Sequence, residues 1–99
     1  MKLEAVRQNE LVIHYIDNPS EAIQLEAVKQ NGLLLRYIKK YNPSEAVKLE
    51  AVKQNGFAIY YIDNPSEAVQ LEAAKQNKDA IKDIKNPTDK VKEFIRMNK

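Results

Sequence analysis

The chain has 99 residues, of which 43% are hydrophobic and 30% charged, and its formal net charge is +2 at pH 7. That length allows one domain, and the near-balanced charge points neither to nucleic acid nor to a strongly basic target. The absence of cysteine excludes disulfides and thiolate metal sites, and it fits a reducing compartment. The longest apolar run, at 57–62, is too short to cross a bilayer, and the first residues lack a secretory signal. A cytoplasmic protein without a membrane partner is therefore expected.

The sequence is built from internal repeats. The string Leu-Glu-Ala-Val-Lys-Gln-Asn-Gly occurs at 25–32 and again at 49–56, and related strings begin at residues 3 and 71. The starts are 22, 24 and 22 residues apart, and a unit of about 22 residues fits two short helices and two tight turns. The spacing predicts one all-α domain over 1–99, a small α-solenoid of tandem helix-turn-helix repeats near 3–24, 25–48, 49–70 and 71–86.

Each repeat is predicted to hold a longer helix A and a shorter helix B. Asn18 is predicted to cap a helix A with Pro19 at its first position, and Glu21 to complete a capping box. Gly32 is predicted to end that helix in a left-handed conformation. About nine short helices result, the last of them a C-terminal capping helix, near 2–9, 11–17, 19–31, 33–40, 43–55, 57–63, 65–77, 79–85 and 87–97.

Helix B has three positions that stay apolar in every repeat, and we predict that they form the core. They are Val12/Leu34/Ala58/Ala80, Ile13/Leu35/Ile59/Ile81 and Ile16/Ile38/Ile62/Ile84.

Three other helix B positions are mostly apolar or aromatic in the first three repeats and turn to Asp79, Lys82 and Asp83 in the fourth. They either pack on the following repeat or form a strip that binds a partner, since exposed aromatics with arginine are typical of interfaces. With a local basic and aromatic spot around Arg36, the candidate partner-binding residues are Leu11, His14, Tyr15, Leu33, Arg36, Tyr37, Lys39, Lys40, Tyr41, Phe57, Tyr60 and Tyr61.

Helix A carries repeated polar pairs. Glu50–Lys53 and Glu72–Lys75 are spaced as i,i+3 ion pairs on an exposed surface. Asn31, at the turn between helices A and B, is predicted to satisfy the free carbonyls of the helix end, or else to belong to a polar ladder that grips an extended ligand.

The sequence offers no converging catalytic groups. His14 has no counterpart in other repeats, and Ser20, Ser44 and Ser66 share one capping position. No His/Asp/Glu cluster has metal-ligand spacing, and the two glycines cannot form a phosphate-binding loop. We therefore predict that the protein is not an enzyme and binds no cofactor or metal.

Charge alternates along the chain, with net values of −2, +3, −2 and +3 for residues 1–24, 25–48, 49–70 and 71–99. This alternation does not build one continuous basic groove, so nucleic acid is a weaker candidate than a protein partner.

The string at 25–38, repeated at 49–62, resembles a helical repeat family that carries a domain-of-unknown-function label and occurs in bacteria, phages and large DNA viruses. The resemblance covers residues 3–86 and brings no catalytic residue with it. It implies a further possibility: a phage- or mobile-element-encoded inhibitor of a bacterial defence system, similar to anti-CRISPR proteins, that blocks a nuclease by binding in the host cytoplasm.

The leading hypothesis is a non-enzymatic binding module for a protein partner. The alternatives are the defence-system inhibitor, a nucleic-acid-binding repeat protein and a homo-oligomeric structural element.

Overall fold

The structure, a computed structural model, describes residues 13, 15–82, 84 and 86–98. In this part of the chain every regular element is helical and there is no strand, which confirms the all-α prediction. The α-helices are α1 (Glu21–Gln30), α2 (Leu35–Ile38), α3 (Glu45–Gln54), α4 (Glu67–Gln76) and α5 (Asp89–Met97). Four 3₁₀ helices lie between them, at Gly32–Leu34, Lys39–Tyr41, Gly56–Tyr61 and Lys78–Ile81.

The prediction of nine helices is too high, since the described residues hold five α-helices. Predicted helix 2–9 lies outside the described residues, and 11–17 is described only in part. Helix B is largely 3₁₀ instead of α. In the third repeat Asn55 starts the segment, because its side-chain Oδ1 accepts the backbone N–H of Phe57 at 3.0 Å and its carbonyl accepts that of Ala58 at 2.9 Å. This i→i+3 bond sets a 3₁₀ turn from the first residue.

Asparagine at this turn satisfies a carbonyl of the helix end, as predicted, and also caps the next helix. Asn31, Asn55 and Asn77 cap the start of the following 3₁₀ helix through their side-chain oxygens. Their own backbone N–H groups donate to the carbonyls of Ala27, Ala51 and Ala73.

Each helix A begins two residues later than predicted. The capping residues are Ser20, Ser44, Ser66 and Thr88, whose hydroxyl oxygens accept the backbone N–H three positions on. Asn18, Asn42 and Asn64 lie in the left-handed region, with φ of 47°, 53° and 51°. Proline disfavours the right-handed helical conformation in the residue before it, and asparagine is among the few side chains that tolerate the left-handed one.

Glycine is selected by close packing and not by a left-handed backbone, which corrects the predicted helix end. No described glycine has positive φ. A Cβ on Gly32 would lie 2.2 Å from the carbonyl oxygen of Ala51 in the next repeat. A Cβ on Gly56 would lie 3.0 Å from the corresponding Ala73 oxygen. The turns after α1 and α3 thus lie close to the backbone of the next repeat.

The long helices pack in chain order. Helix α1 contacts α3, α3 contacts α4, and α4 contacts α5, in a molecule of 46 × 21 × 17 Å. The three predicted core positions of helix B are buried wherever they are described, except that Ile84 is half-buried. Helix A adds its own buried residues to this core, namely Ala27, Val28, Val47, Ala51, Val52, Val69, Ala73, Ala74 and Val91.

Polar side chains bond one repeat to the next. Ser44 donates its hydroxyl to the Glu21 carboxylate, and Ser66 donates to Glu45 with 2.5 Å between the oxygens. Gln76 Oε1 accepts the backbone N–H of Gly56 at 2.8 Å. These bonds fix the register between neighbouring repeats.

The predicted pairs Glu50–Lys53 and Glu72–Lys75 are not among the ion pairs of the described residues. Glu50 accepts a hydrogen bond from Gln54 Nε2 at 2.9 Å instead of pairing with Lys53. In the part of the chain that the structure describes, ion pairs join Lys82 to Asp79 and Arg96 to Glu93. At these exposed positions an amide competes well with an ammonium group, because surface ion pairs contribute little.

Candidate protein-binding surface

The helix B position of His14, Arg36, Tyr60 and Lys82 faces solvent wherever it is described. Arg36 and Lys82 are exposed, and the Tyr60 side chain is 51% exposed. His14 lies outside the described residues. The side chain at this position changes from repeat to repeat while its exposure stays constant, so packing within the stack does not dictate its identity.

The other two candidate positions of helix B are partly buried in the second and third repeats. Leu33 and Phe57 are half-buried against the core, and so are Tyr37 and Tyr61. These four side chains therefore do pack within the stack, with one side still accessible. Tyr15 in the first repeat is 81% exposed, and Leu11 lies outside the described residues.

Arg36 contacts the side chain of the neighbouring Tyr37. Its Nη2 donates to the Tyr37 hydroxyl at 2.5 Å, and its Cζ lies 4.6 Å from the centre of the same ring. The hydrogen bond to Tyr37, with a smaller contribution from Tyr61 of the next repeat, raises the pKa of the guanidinium above its usual value. The group therefore stays charged, in a restrained position on the surface.

Phe57 and Tyr60 form an aromatic pair. Their ring centres are 5.7 Å apart with 43° between the ring planes. In a 3₁₀ helix residues i and i+3 lie above one another, which brings these two rings together. Tyr61 follows directly in the chain and contributes to the raised pKa of Arg36. We call Arg36, Tyr37, Phe57, Tyr60 and Tyr61 the aromatic–arginine strip.

Part of the predicted basic spot lies near the end of the second repeat, which is two residues longer than the first and third. Lys39, Lys40 and Tyr41 form the 3₁₀ helix there, and both lysines are exposed. Lys40 Nζ lies 5.3 Å from the centre of the Tyr41 ring, which is itself half-buried against the core.

Two clefts beside the strip were not predicted. The larger, of about 670 Å³, lies between the third and fourth repeats, and the smaller, of about 160 Å³, lies between the second and third. The lining includes residues that the sequence analysis does not name as candidate site residues, namely Lys48, Asp63, Asn64, Gln70, Ile84 and Asn86. One signal was present. The last core position of helix B is isoleucine in all four repeats. The residue after it alternates in charge, as Asp17, Lys39, Asp63 and Lys85.

The described residues contain no group of three or more His, Asp or Glu side chains placed to hold a metal ion. In the same part of the chain no helix is long and apolar enough to cross a membrane. Comparison of the chain with protein-family models, with curated proteins and with solved structures finds no match.

Proposed function

We propose that the protein is a non-enzymatic binding module, a small α-solenoid that engages a protein partner through the aromatic–arginine strip. The observation that carries the proposal is the exposure of Arg36 and Tyr60 at one repeated position, each supported by a neighbouring ring. Arginine and tyrosine are among the side chains enriched at protein interfaces.

The restraint on these side chains supports binding. An interface loses affinity when flexible side chains must be ordered on association. Arg36 is already fixed by Tyr37, and Tyr60 by Phe57. The half-buried rings of Tyr37 and Tyr61 supply apolar contact area beside the charge. The strip thus offers a prearranged surface to a partner.

The structural roles of the three serines favour a binding function over a catalytic one. Ser44 and Ser66 each accept a backbone N–H as a helix cap and donate to a glutamate of the preceding repeat. Ser20 accepts the backbone N–H of Ile23. All three hydroxyls cap helices, and those of Ser44 and Ser66 also bond neighbouring repeats, so structural roles account for them. This supports the proposal of a binding role.

The proposal is tested by site-specific photo-crosslinking. A photoreactive phenylalanine analogue replaces Tyr60 in one variant and Lys53, an exposed residue of α3 outside the strip, in the other. Both are expressed in cells of the source organism and irradiated. We expect one dominant heterologous protein adduct from position 60 and none from position 53. Adducts to nucleic acid or only to a second copy of the chain, or equal labelling from both positions, would contradict the proposal.

A further inference from the structure

The two clefts adjoin each other beside the strip, because Ile62 and Asp63 line both of them. They also occupy the same place in successive repeats, because Asn42 and Pro43 line one as Asn64 and Pro65 line the other. We call the pair the inter-repeat groove.

The larger cleft has the chemistry to hold a cation. Among the described residues that line it, Asp63 is the one that carries a charge, and within that part of the chain this exposed carboxylate has no hydrogen bond or ion pair. The accessible ring of Tyr60 lines the same cleft. A carboxylate beside an aromatic face suits a lysine or arginine side chain, which gains from both the charge and the ring.

The smaller cleft has the opposite preference. Lys39 and Lys48 line it together with Asp63, which lines both clefts. Two ammonium groups favour a carboxylate at this end of the groove. Asp63 in the shared middle opposes a continuous run of phosphates, so the charge order favours a protein segment over a nucleic acid strand.

The distance between the two clefts sets how far apart the charged side chains of a bound peptide segment must be. Packed helices are about 8–10 Å apart, and an extended chain advances about 3.3 Å per residue. One repeat therefore corresponds to about three residues of an extended segment.

We propose that the inter-repeat groove binds an extended segment of the protein partner, with a lysine or arginine in the larger cleft and an aspartate or glutamate about three residues away in the smaller. This inference rests on the proposed function and adds the chemical class of the segment that is recognised.

The test uses a ribosome-displayed library of random twelve-residue peptides. The library is selected in parallel on the wild-type protein, on Asp63→Lys and on Asp17→Lys, the same change at the equivalent exposed position of the first repeat, which lines neither cleft. Circular dichroism and melting temperature establish that each variant folds.

We expect wild type and Asp17→Lys to enrich peptides that pair a basic with an acidic residue about three positions apart. Asp63→Lys loses the basic preference and binds the best wild-type peptide at least about tenfold more weakly. No enriched peptide on the wild type, the same enrichment on Asp63→Lys, or binding of a single-stranded oligonucleotide in place of peptides would overturn the inference.

The two proposals fail in distinguishable ways, because Arg36 lines neither cleft. If capture of the partner is lost in Arg36→Glu and unchanged in Asp63→Lys, the groove inference is wrong and the strip stands. If capture is unchanged in both variants, both proposals are wrong.

Discussion

The hydroxyl of Ser66 donates to the carboxylate of Glu45 in the preceding repeat with 2.5 Å between the oxygens, while the same oxygen accepts the backbone N–H of Val69. One side chain thus begins a helix and bonds it to its neighbour. Ser44 repeats the arrangement with Glu21 and Val47.

Because Ser66 both caps a helix and donates to Glu45, we expect aspartate at this capping position to lower the stability of the protein. Aspartate caps an isolated helix as well as serine does, but in Ser66→Asp it would face Glu45 without a proton to donate. We expect Ser66→Asp to be less stable than Ser20→Asp by on the order of 1 kcal/mol in chemical denaturation, since Ser20 caps Ile23 without a glutamate partner in the described chain. Adding Glu45→Lys restores the stability of Ser66→Asp. Equal stabilities for the two aspartate variants would contradict the inter-repeat bond.

The two glycines predict graded effects of an added methyl group. Gly32→Ala places a Cβ 2.2 Å from a backbone oxygen, and Gly56→Ala places one 3.0 Å from a backbone oxygen. We expect losses in the free energy of unfolding of about 3 kcal/mol and about 1 kcal/mol respectively, measured by denaturant titration. A stabilising effect of either alanine would show that the glycines serve backbone freedom, and the close-packing explanation would be wrong.

The buried glutamines provide a third comparison. Gln70 donates to the Pro65 carbonyl at 3.0 Å and accepts the N–H of Thr88 at 3.1 Å. Gln24 donates to the Pro19 carbonyl at 2.9 Å, while its Oε1 is buried and has no partner among the described residues. We expect Gln70→Met to cost about 1 kcal/mol more than Gln24→Met, because it breaks two bonds and leaves a backbone N–H unpaired. Thermal melts of the two variants at one protein concentration measure the difference.

The left-handed asparagines predict a preference for glycine. Asn18 has φ of 47°, where a side chain with a Cβ is strained and glycine is not. We expect Asn18→Ala to lower the free energy of unfolding by about 1 kcal/mol and Asn18→Gly to leave it nearly unchanged. Urea titration of both variants against wild type provides the values. If alanine were tolerated as well as glycine, the turn would not require the left-handed conformation.

Sequence periodicity predicts the core and the order of the elements because both depend on spacing. Ile38 and Ile59 are buried as predicted, since any helical backbone keeps those positions on one side. The details at the turns depend on contacts between repeats. Whether Gly32 is needed for its φ or for its small size is decided by Ala51 in the next repeat. That Ser20 and not Asn18 caps the helix follows instead from the conformation of the residue before Pro19.

The candidate surface also has one part that the sequence predicts and one part that it does not. The exposure of Arg36 and Tyr60 follows from their position in the repeat, and the sequence analysis includes both. The groove around Asp63 is formed by loops of consecutive repeats, so no single window of sequence contains it. The alternation of charge at that position is visible in the sequence. Only the packing of the repeats shows that Asp63 lines a cleft.

The most direct test of the strip compares two arginines. Arg36→Glu reverses a charge in the strip, and Arg96→Glu makes the same change on α5, where Arg96 pairs with Glu93. Affinity capture from cells of the source organism is quantified for each variant and for wild type, with melting temperatures as the control for folding. We predict that Arg36→Glu loses the captured protein while Arg96→Glu retains it, both variants staying folded. Retention of the same protein by Arg36→Glu at wild-type levels would contradict the account.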